Sequence, residues 1–393
     1  MKVTEFVSKI FLVIFITLLF QFLFFAFTTT PQTINESDSL GYHIPIATEL
    51  AKGNFMPPQL DEGLGYYFGG AEFILALFIF LHIPLNLFGV LSWVLLFVVC
   101  IKLGKSFGLS REMAIIYAGT VVTLQSVLRW PLTQDVDIWV AVFFTLTLYL
   151  IKQNKTSIYD YLKLGITSGL LIGAKISGLP FLLFIFLIFG KDILRKLNIQ
   201  KSIAFTIPVL VLGLSWPIRN FILTGNPIYP ANFVFMHGAP DYPIIHYQDW
   251  TLVGNIIKNP RFLLTFLQSI NTEFLTWALA IPFGVYLIFK KHKDEAYKLS
   301  WLGVSVFVIF ATMLLYWPGI EVSNLRLIYP SLAVLILSVF IYFKDNSSEL
   351  SALALLTSIF SILNLSYHPK LILIGLVSGY IFIFNKKWKY LSV

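Results

Sequence analysis

The chain has 393 residues, of which 57% are hydrophobic, 17% aromatic and only 12% charged, with a net charge of +8. This composition excludes an ordinary soluble domain, and its apolar runs are too long for barrel strands, so the expected fold class is all-α: a polytopic membrane helix bundle. The positive charge is read as basic residues flanking membrane spans and not as a nucleic-acid surface. Cys100 is the single cysteine, which excludes an internal disulfide.

The first predicted span covers residues 10–28, with Lys2 and Lys9 ahead of it. No small-x-small cleavage site follows Thr28-Thr29-Thr30-Pro31, and the run is long for a signal peptide, so it reads as a retained anchor. A polar island opens directly after it: Glu36-Ser37-Asp38-Ser39-Leu40-Gly41-Tyr42-His43-Ile44-Pro45. Ionisable residues pressed against a span point to a functional site. In the same loop, Ile44, Ile46, Ala47 and Leu50 predict a short amphipathic helix lying on the bilayer surface.

Charge parity organises the rest of the chain. With the amino terminus cytoplasmic, Asp38 is outside while Lys102, Lys105 and Arg111 belong inside, which leaves room for one crossing between them. Residues 86–103 supply it. The apolar segment 66–82, which carries Glu72, is therefore expected to be re-entrant or interfacial.

Spans 113–130 and 138–152 then bracket a second acidic outer site, Gln134-Asp135-Val136-Asp137. The run 164–190 has basic clusters at both ends and is interrupted by Gly173-Ala174-Lys175-Ile176-Ser177-Gly178, so it predicts two short crossings with Lys175 toward the outer side. After span 203–219 comes a long outer stretch, 220–261, whose Pro, Gly and Asn content predicts ordered turns and no separate domain. Further spans are 273–290, 300–317, 327–343, 351–366 and 371–385. The map has twelve crossings, or about 12–13 membrane helices, with both termini inside.

Residues 1–393 thus form a single membrane domain. Its module 1–345 carries outer loops 31–65, 131–137 and 220–261, and a C-terminal helix pair occupies 346–393.

Each polar feature also has a plainer explanation. Asp38 fits a solvated loop acid, Asp135 and Asp137 fit helix caps, Lys175 fits a snorkelling side chain, and Arg219 and Arg326 fit interfacial anchors. Their placement on one membrane face favours a shared site. His43, His82, His237 and His246 have no metal-ligand spacing. A carboxylate facing cations suits transfer from a lipid-phosphate carrier: the acid takes a proton from an acceptor hydroxyl, and the cations hold the departing phosphate.

The early span, the Asp38-Ser39-Leu40-Gly41-Tyr42-His43-Ile44-Pro45 loop, a second acidic site after a Pro, and Arg219-Asn220 followed by Thr224-Gly225-Asn226-Pro227-Ile228-Tyr229-Pro230 resemble the GT-C superfamily of membrane glycosyltransferases. The likeness is to the protein mannosyltransferase and aminoarabinose transferase type, across roughly the first 330 residues by architecture. It implies a transferase of the plasma membrane, with an outward-facing site, using a polyprenyl-phosphate-linked sugar donor and a glycan, lipid or protein acceptor among membrane lipids.

The resemblance implies that Asp38, the acidic residue of the first loop, is the catalytic residue, that Asp135 or Asp137 is the second acidic site, and that Lys175, Arg219 and Arg326 are lipid-phosphate contacts. Tyr42, His43, Glu62 and Glu72 are further candidates for substrate positioning. The oligosaccharyltransferase branch implies a divalent cation at Asp135 and Asp137, whereas the monophosphate-donor branch generally needs no metal. Two departures stand out: Ser37 and Ser39 flank Asp38 where the family often has paired acids, and no soluble carboxy-terminal domain is evident.

Two other classes fit parts of the chain. A lipid or solute transporter would favour a repeat of the chain halves, which is not seen. A glycan polymerase or ligase using diphosphate-linked donors would use His237 and His246, leaving the Asp38 loop without a role.

Overall fold

A computed structural model describes residues 3–153, 157–232, 235–240, 251–290, 294–314, 316, 319 and 321–364. Seven helices among these are long and apolar enough to cross a bilayer: Val3–Thr28, Leu87–Ser106, Ile199–Thr224, Arg261–Phe289, Glu295–Met313, Val322–Tyr342 and Lys344–Leu363. The molecule is a multi-pass helical membrane protein. Its other predicted spans are shorter helices, and the span 371–385 and His246 lie outside the described residues.

The chain begins with α1 (Val3–Thr28), followed by a π-helical turn, Ser39–His43, that runs directly into α2 (Ile44–Ala51). The apolar stripe of α2 is buried, with Ile46, Ala47 and Leu50 all inside the main core. The helix is amphipathic as expected, but its apolar face meets protein and not the bilayer surface, because the segment carrying α3 (Glu72–Phe80) covers it. At nine residues, α3 extends about 14 Å, well short of a hydrocarbon core of roughly 30 Å.

Next come α4 (Leu87–Ser106), α5 (Arg111–Val122) and α6 (Asp137–Gln153), and both α5 and α6 pack on α4. The run 164–190 is broken where its Gly-Ala-Lys sequence predicts. Helix α7 (Ile158–Ala174) stops at an extended Lys175, and α8 (Gly178–Phe189) starts after a three-residue gap. Helix α9 (Ile199–Thr224) lies along α7 and passes through a π-helical section, Val209–Leu214, that follows Pro208. Gly165, Gly169 and Gly173, spaced four apart on α7, present no side chain to the α9 backbone, and a Cβ at any of them would collide with a carbonyl oxygen of α9.

Helix α10 (Arg261–Phe274), α11 (Ala280–Phe289), α12 (Glu295–Met313), α13 (Tyr329–Tyr342) and α14 (Ser347–Leu363) complete the described chain. Helix α13 is the most enclosed of the seven spans, and Arg326 sits in the short 3-10 turn, Leu325–Ile328, at its amino-terminal end.

Candidate active site

Three acids from two distant loops converge on one guanidinium. Arg326 Nη2 pairs with Asp38 Oδ2, its Nη1 pairs with Asp135 Oδ2, and its Nε lies 3.0 Å from Asp137 Oδ2. Lys175 Nζ reaches Asp137 Oδ1 at 2.8 Å. The Trp130 ring lies 5.1 Å from the Arg326 Cζ, giving the cation an aromatic face as well. Three carboxylates against two cations leave the cluster one negative charge in excess when all are ionised.

Local hydrogen bonds bring the two acidic loops together. The Glu36 carboxylate accepts from the Asp38 N–H at 3.0 Å and from the Ser39 N–H and hydroxyl, both at 2.6 Å, shaping the turn that carries Asp38. Ser39 Oγ also accepts the Gln134 N–H at 2.9 Å, fastening the second acidic loop to the first. Gln134 Nε2 donates to Asn86 Oδ1, whose Nδ2 donates to Thr29 at the end of α1. The π turn itself is a geometry that recurs at functional sites. At the start of α6, Asp135 Oδ1 accepts the Asp137 N–H at 3.1 Å, so capping and ion pairing coexist there.

The acids differ in exposure, and this separates their roles. Asp38 keeps 28% of its side chain exposed, whereas Asp135 and Asp137 keep 3% and 4%. Burial opposes ionisation of Asp38, but attraction to Arg326, then to His43, outweighs it and holds the carboxyl below the usual carboxylate range. Burial drives Asp135 the other way, above that range, against the pull of Arg326.

The remaining candidates are placed differently. His43 and Glu72 are buried together, with Nδ1 and Oε1 2.7 Å apart, and Tyr42 packs between His43 and Tyr67. Glu62 stands exposed in a turn outside the cluster. Arg219 does not join it either: its guanidinium donates to the carbonyls of Tyr66 at 3.1 Å, Tyr67 at 3.4 Å and Phe55 at 3.4 Å, and to Asn220 Oδ1, over the Trp216 ring. Asn220 and Asn226 are buried and also bind backbone carbonyls, so the 219–230 motif serves to hold the loops around it. A divalent cation at Asp135 and Asp137 would have to take the place that Arg326 holds.

Sequence reasoning missed Glu36, Ser39, Asn86, Gln134 and Trp130. Glu36, Ser39, Gln134 and Trp130 are signalled by proximity in the chain to Asp38 and Asp135, whereas nothing in the sequence marks Asn86. It also missed Gly89 of α4, where a Cβ would stand 2.6 Å from the carbonyl oxygens of Pro131 and Thr133. Gly89→Ala is expected to push the second acidic loop away and to destabilise the protein by about 1–3 kcal/mol, visible as a lower thermal midpoint in detergent.

The fold and site define a multi-pass helical membrane protein with an acid–arginine cluster where two loops meet the end of a span. No protein-family model matches the chain, and no curated protein matches it in sequence. Among solved structures it is similar to ArnT from Cupriavidus metallidurans in the apo state, at 14% identity and a TM-score of 0.49, covering 76% of this chain and 54% of that one. The same protein bound to undecaprenyl phosphate gives 14% identity and a TM-score of 0.48, covering 88% and 58%. An oligosaccharyltransferase from Archaeoglobus fulgidus, in complex with Zn and sulfate, gives 14% identity and a TM-score of 0.43, covering 80% and 44%. The chain spans about half the length of the solved structures it matches.

Proposed function

We propose that this protein is a membrane glycosyltransferase that moves a sugar from a polyprenyl-monophosphate carrier to an acceptor hydroxyl, at a site facing outside, with both termini cytoplasmic. The observation that carries this is Asp38, the most exposed of the three carboxylates on Arg326, held ionised at the edge of a buried cluster that also contains Lys175.

In the proposed reaction, Asp38 accepts the proton of the acceptor hydroxyl as its oxygen attacks the anomeric carbon. The bond from that carbon to the phosphate oxygen breaks, and the phosphate leaves as an anion with inversion at the sugar. Arg326, which has more N–H groups than its three acid contacts use, and Lys175, a compact point charge held by the same Asp137, together offset the charge of the departing phosphate. Asp135 and Asp137 hold both cations in place. The positive groups are thus fixed before charge develops on the leaving phosphate, which is where electrostatic stabilisation counts most.

This assignment needs no metal, since the two cations already answer the phosphate charge. Arg219 keeps its work on the outer-loop backbone, and the acceptor is a glycan, lipid or protein hydroxyl.

The test is to incubate the purified full chain with a panel of polyprenyl-monophosphate sugars and to follow sugar release. One or more donors are expected to turn over, at a rate that rises when an acceptor hydroxyl is supplied. Failure with every monophosphate donor, together with turnover of a diphosphate-linked one, would overturn the donor class.

A further inference from the structure

His43 and Glu72 take no part in the proposed transfer chemistry, yet both are buried and in contact, with His43 Nδ1 2.7 Å from Glu72 Oε1. The contact joins the π turn that begins beside Asp38 to the first turn of α3. Two residues earlier, the Gly70 N–H donates to the Gly173 carbonyl at 2.8 Å, and a Cβ on Gly70 would stand 2.5 Å from the Gly173 carbonyl carbon. Gly173 lies two residues ahead of Lys175. Residues 70–72 therefore touch the Asp38 turn on one side and the Lys175 break on the other.

We propose that the His43–Glu72 pair is a positioning device: it locks the Asp38 turn onto residues 70–72, which Gly70 ties to the backbone ahead of Lys175, and so sets the base against the cations. This rests on the assignment of Asp38 as the base.

Charge supports the same role. The charged groups facing His43 are Glu72 from α3, Asp135 from the second acidic loop and Asp38 from its own turn, and the Tyr42 ring lies 4.2 Å away. Burial alone would favour a neutral imidazole, but the hydrogen bond and charge of Glu72, followed by the other two acids, hold His43 above its ordinary value. Protonation of His43, which this shift favours, adds to Arg326 in keeping Asp38 ionised. His43 Nε2 and Glu72 Oε2 are buried without a hydrogen-bond partner among the described residues, so the lock is a single bond that one substitution removes.

Two variants of the full chain, in lipid nanodiscs, separate the lock from its charge. Glu72→Ala removes the bond, and amide exchange across residues 38–43 is expected to rise about tenfold while sugar release falls about tenfold. Glu72→Gln keeps a hydrogen-bond acceptor but loses the charge, so the His43 ring protonates less readily, and the pH at which it takes up a proton, read by NMR on 15N-labelled histidine, is expected to move down by about one unit.

Unchanged exchange in Glu72→Ala overturns the lock, whatever the activity. A His43 titration identical to wild type in Glu72→Gln overturns the electrostatic role, and it does so even if Glu72→Ala fails to fold. Raised exchange in Glu72→Ala, when the wild-type chain releases no sugar from any donor, upholds the lock and overturns the transferase assignment.

Discussion

Asp38→Asn is expected to lower sugar release by about 10²–10⁴-fold while leaving polyprenyl-monophosphate binding within about twofold of wild type. An amide cannot take the acceptor's proton at neutral pH, yet it keeps the size of the side chain and an oxygen that Arg326 can still approach. The choice of Asp38 over its neighbours rests on exposure: its side chain is 28% exposed, against 3% for Asp135 and 4% for Asp137, so an acceptor can reach only the first without unpacking the protein.

The same assignment predicts the pH profile. Because the folded carboxyl lies below its ordinary value of 3.8, the base form persists as pH falls through that value and is lost only as pH falls through the lowered one. Wild-type activity should therefore show no Asp38-dependent acid limb above about pH 4, provided the protein stays folded. Full turnover by Asp38→Asn would remove Asp38 as the base.

Arg326→Lys is expected to lower kcat/KM by about 10²–10³-fold, with weaker donor binding measured by titration of polyprenyl monophosphate. A guanidinium can meet Asp38, Asp135 and Asp137 at once through three different nitrogens, whereas an ammonium on a flexible stem cannot reproduce that fork. Arg326→Leu should act on the fold itself. It leaves three acids around an apolar side chain, with Lys175 still on Asp137, and breaking a buried pair in this way costs about 3–5 kcal/mol. A thermal scan in detergent reads that loss directly. Arg326→Lys with wild-type rate and donor affinity would show that the phosphate is held elsewhere.

The two substitutions are coupled through one ion pair, and their combination is informative. In Asp38→Asn the Arg326 fork keeps Asp135 and Asp137, so phosphate binding survives while proton transfer does not. In Arg326→Lys the base survives but is held less firmly ionised, since attraction to Arg326 is the largest influence lowering its pKa. An acid limb rising into the measurable range in Arg326→Lys, and in no Asp38→Asn background, would assign that limb to Asp38.

Much of the site was legible in the sequence because polar residues are expensive beside a membrane and so stand out. Asp38, Asp135, Asp137, Lys175 and Arg326 are each marked by that contrast, and they meet in one ion-pair cluster. The break at Lys175 was legible for a related reason, since a Gly-Ala-Lys-Ile-Ser-Gly run cannot continue an apolar helix smoothly. Arg219 shows the limit of this contrast. Its charge and its position near a span end look like those of Arg326, but its donors go to backbone carbonyls and an amide and not to acids. The short helix Ile44–Ala51 shows the same limit for apolar residues, since a stripe that fits a bilayer surface fits a protein surface equally well.

By itself, then, the sequence determined the membrane class, the helical architecture and the set of polar residues that needed explanation, because hydropathy and charge are properties of single residues and short runs. Only the tertiary structure decided the partners. That Arg326 gathers acids from residues 38, 135 and 137, that Ser39 fastens one acidic loop to the other, and that Glu72 reaches His43 all depend on helices far apart in sequence packing side by side. A charge in the sequence calls for a counter-charge without naming it, and the packing of α1, α4, α6, α7 and α13 makes the choice.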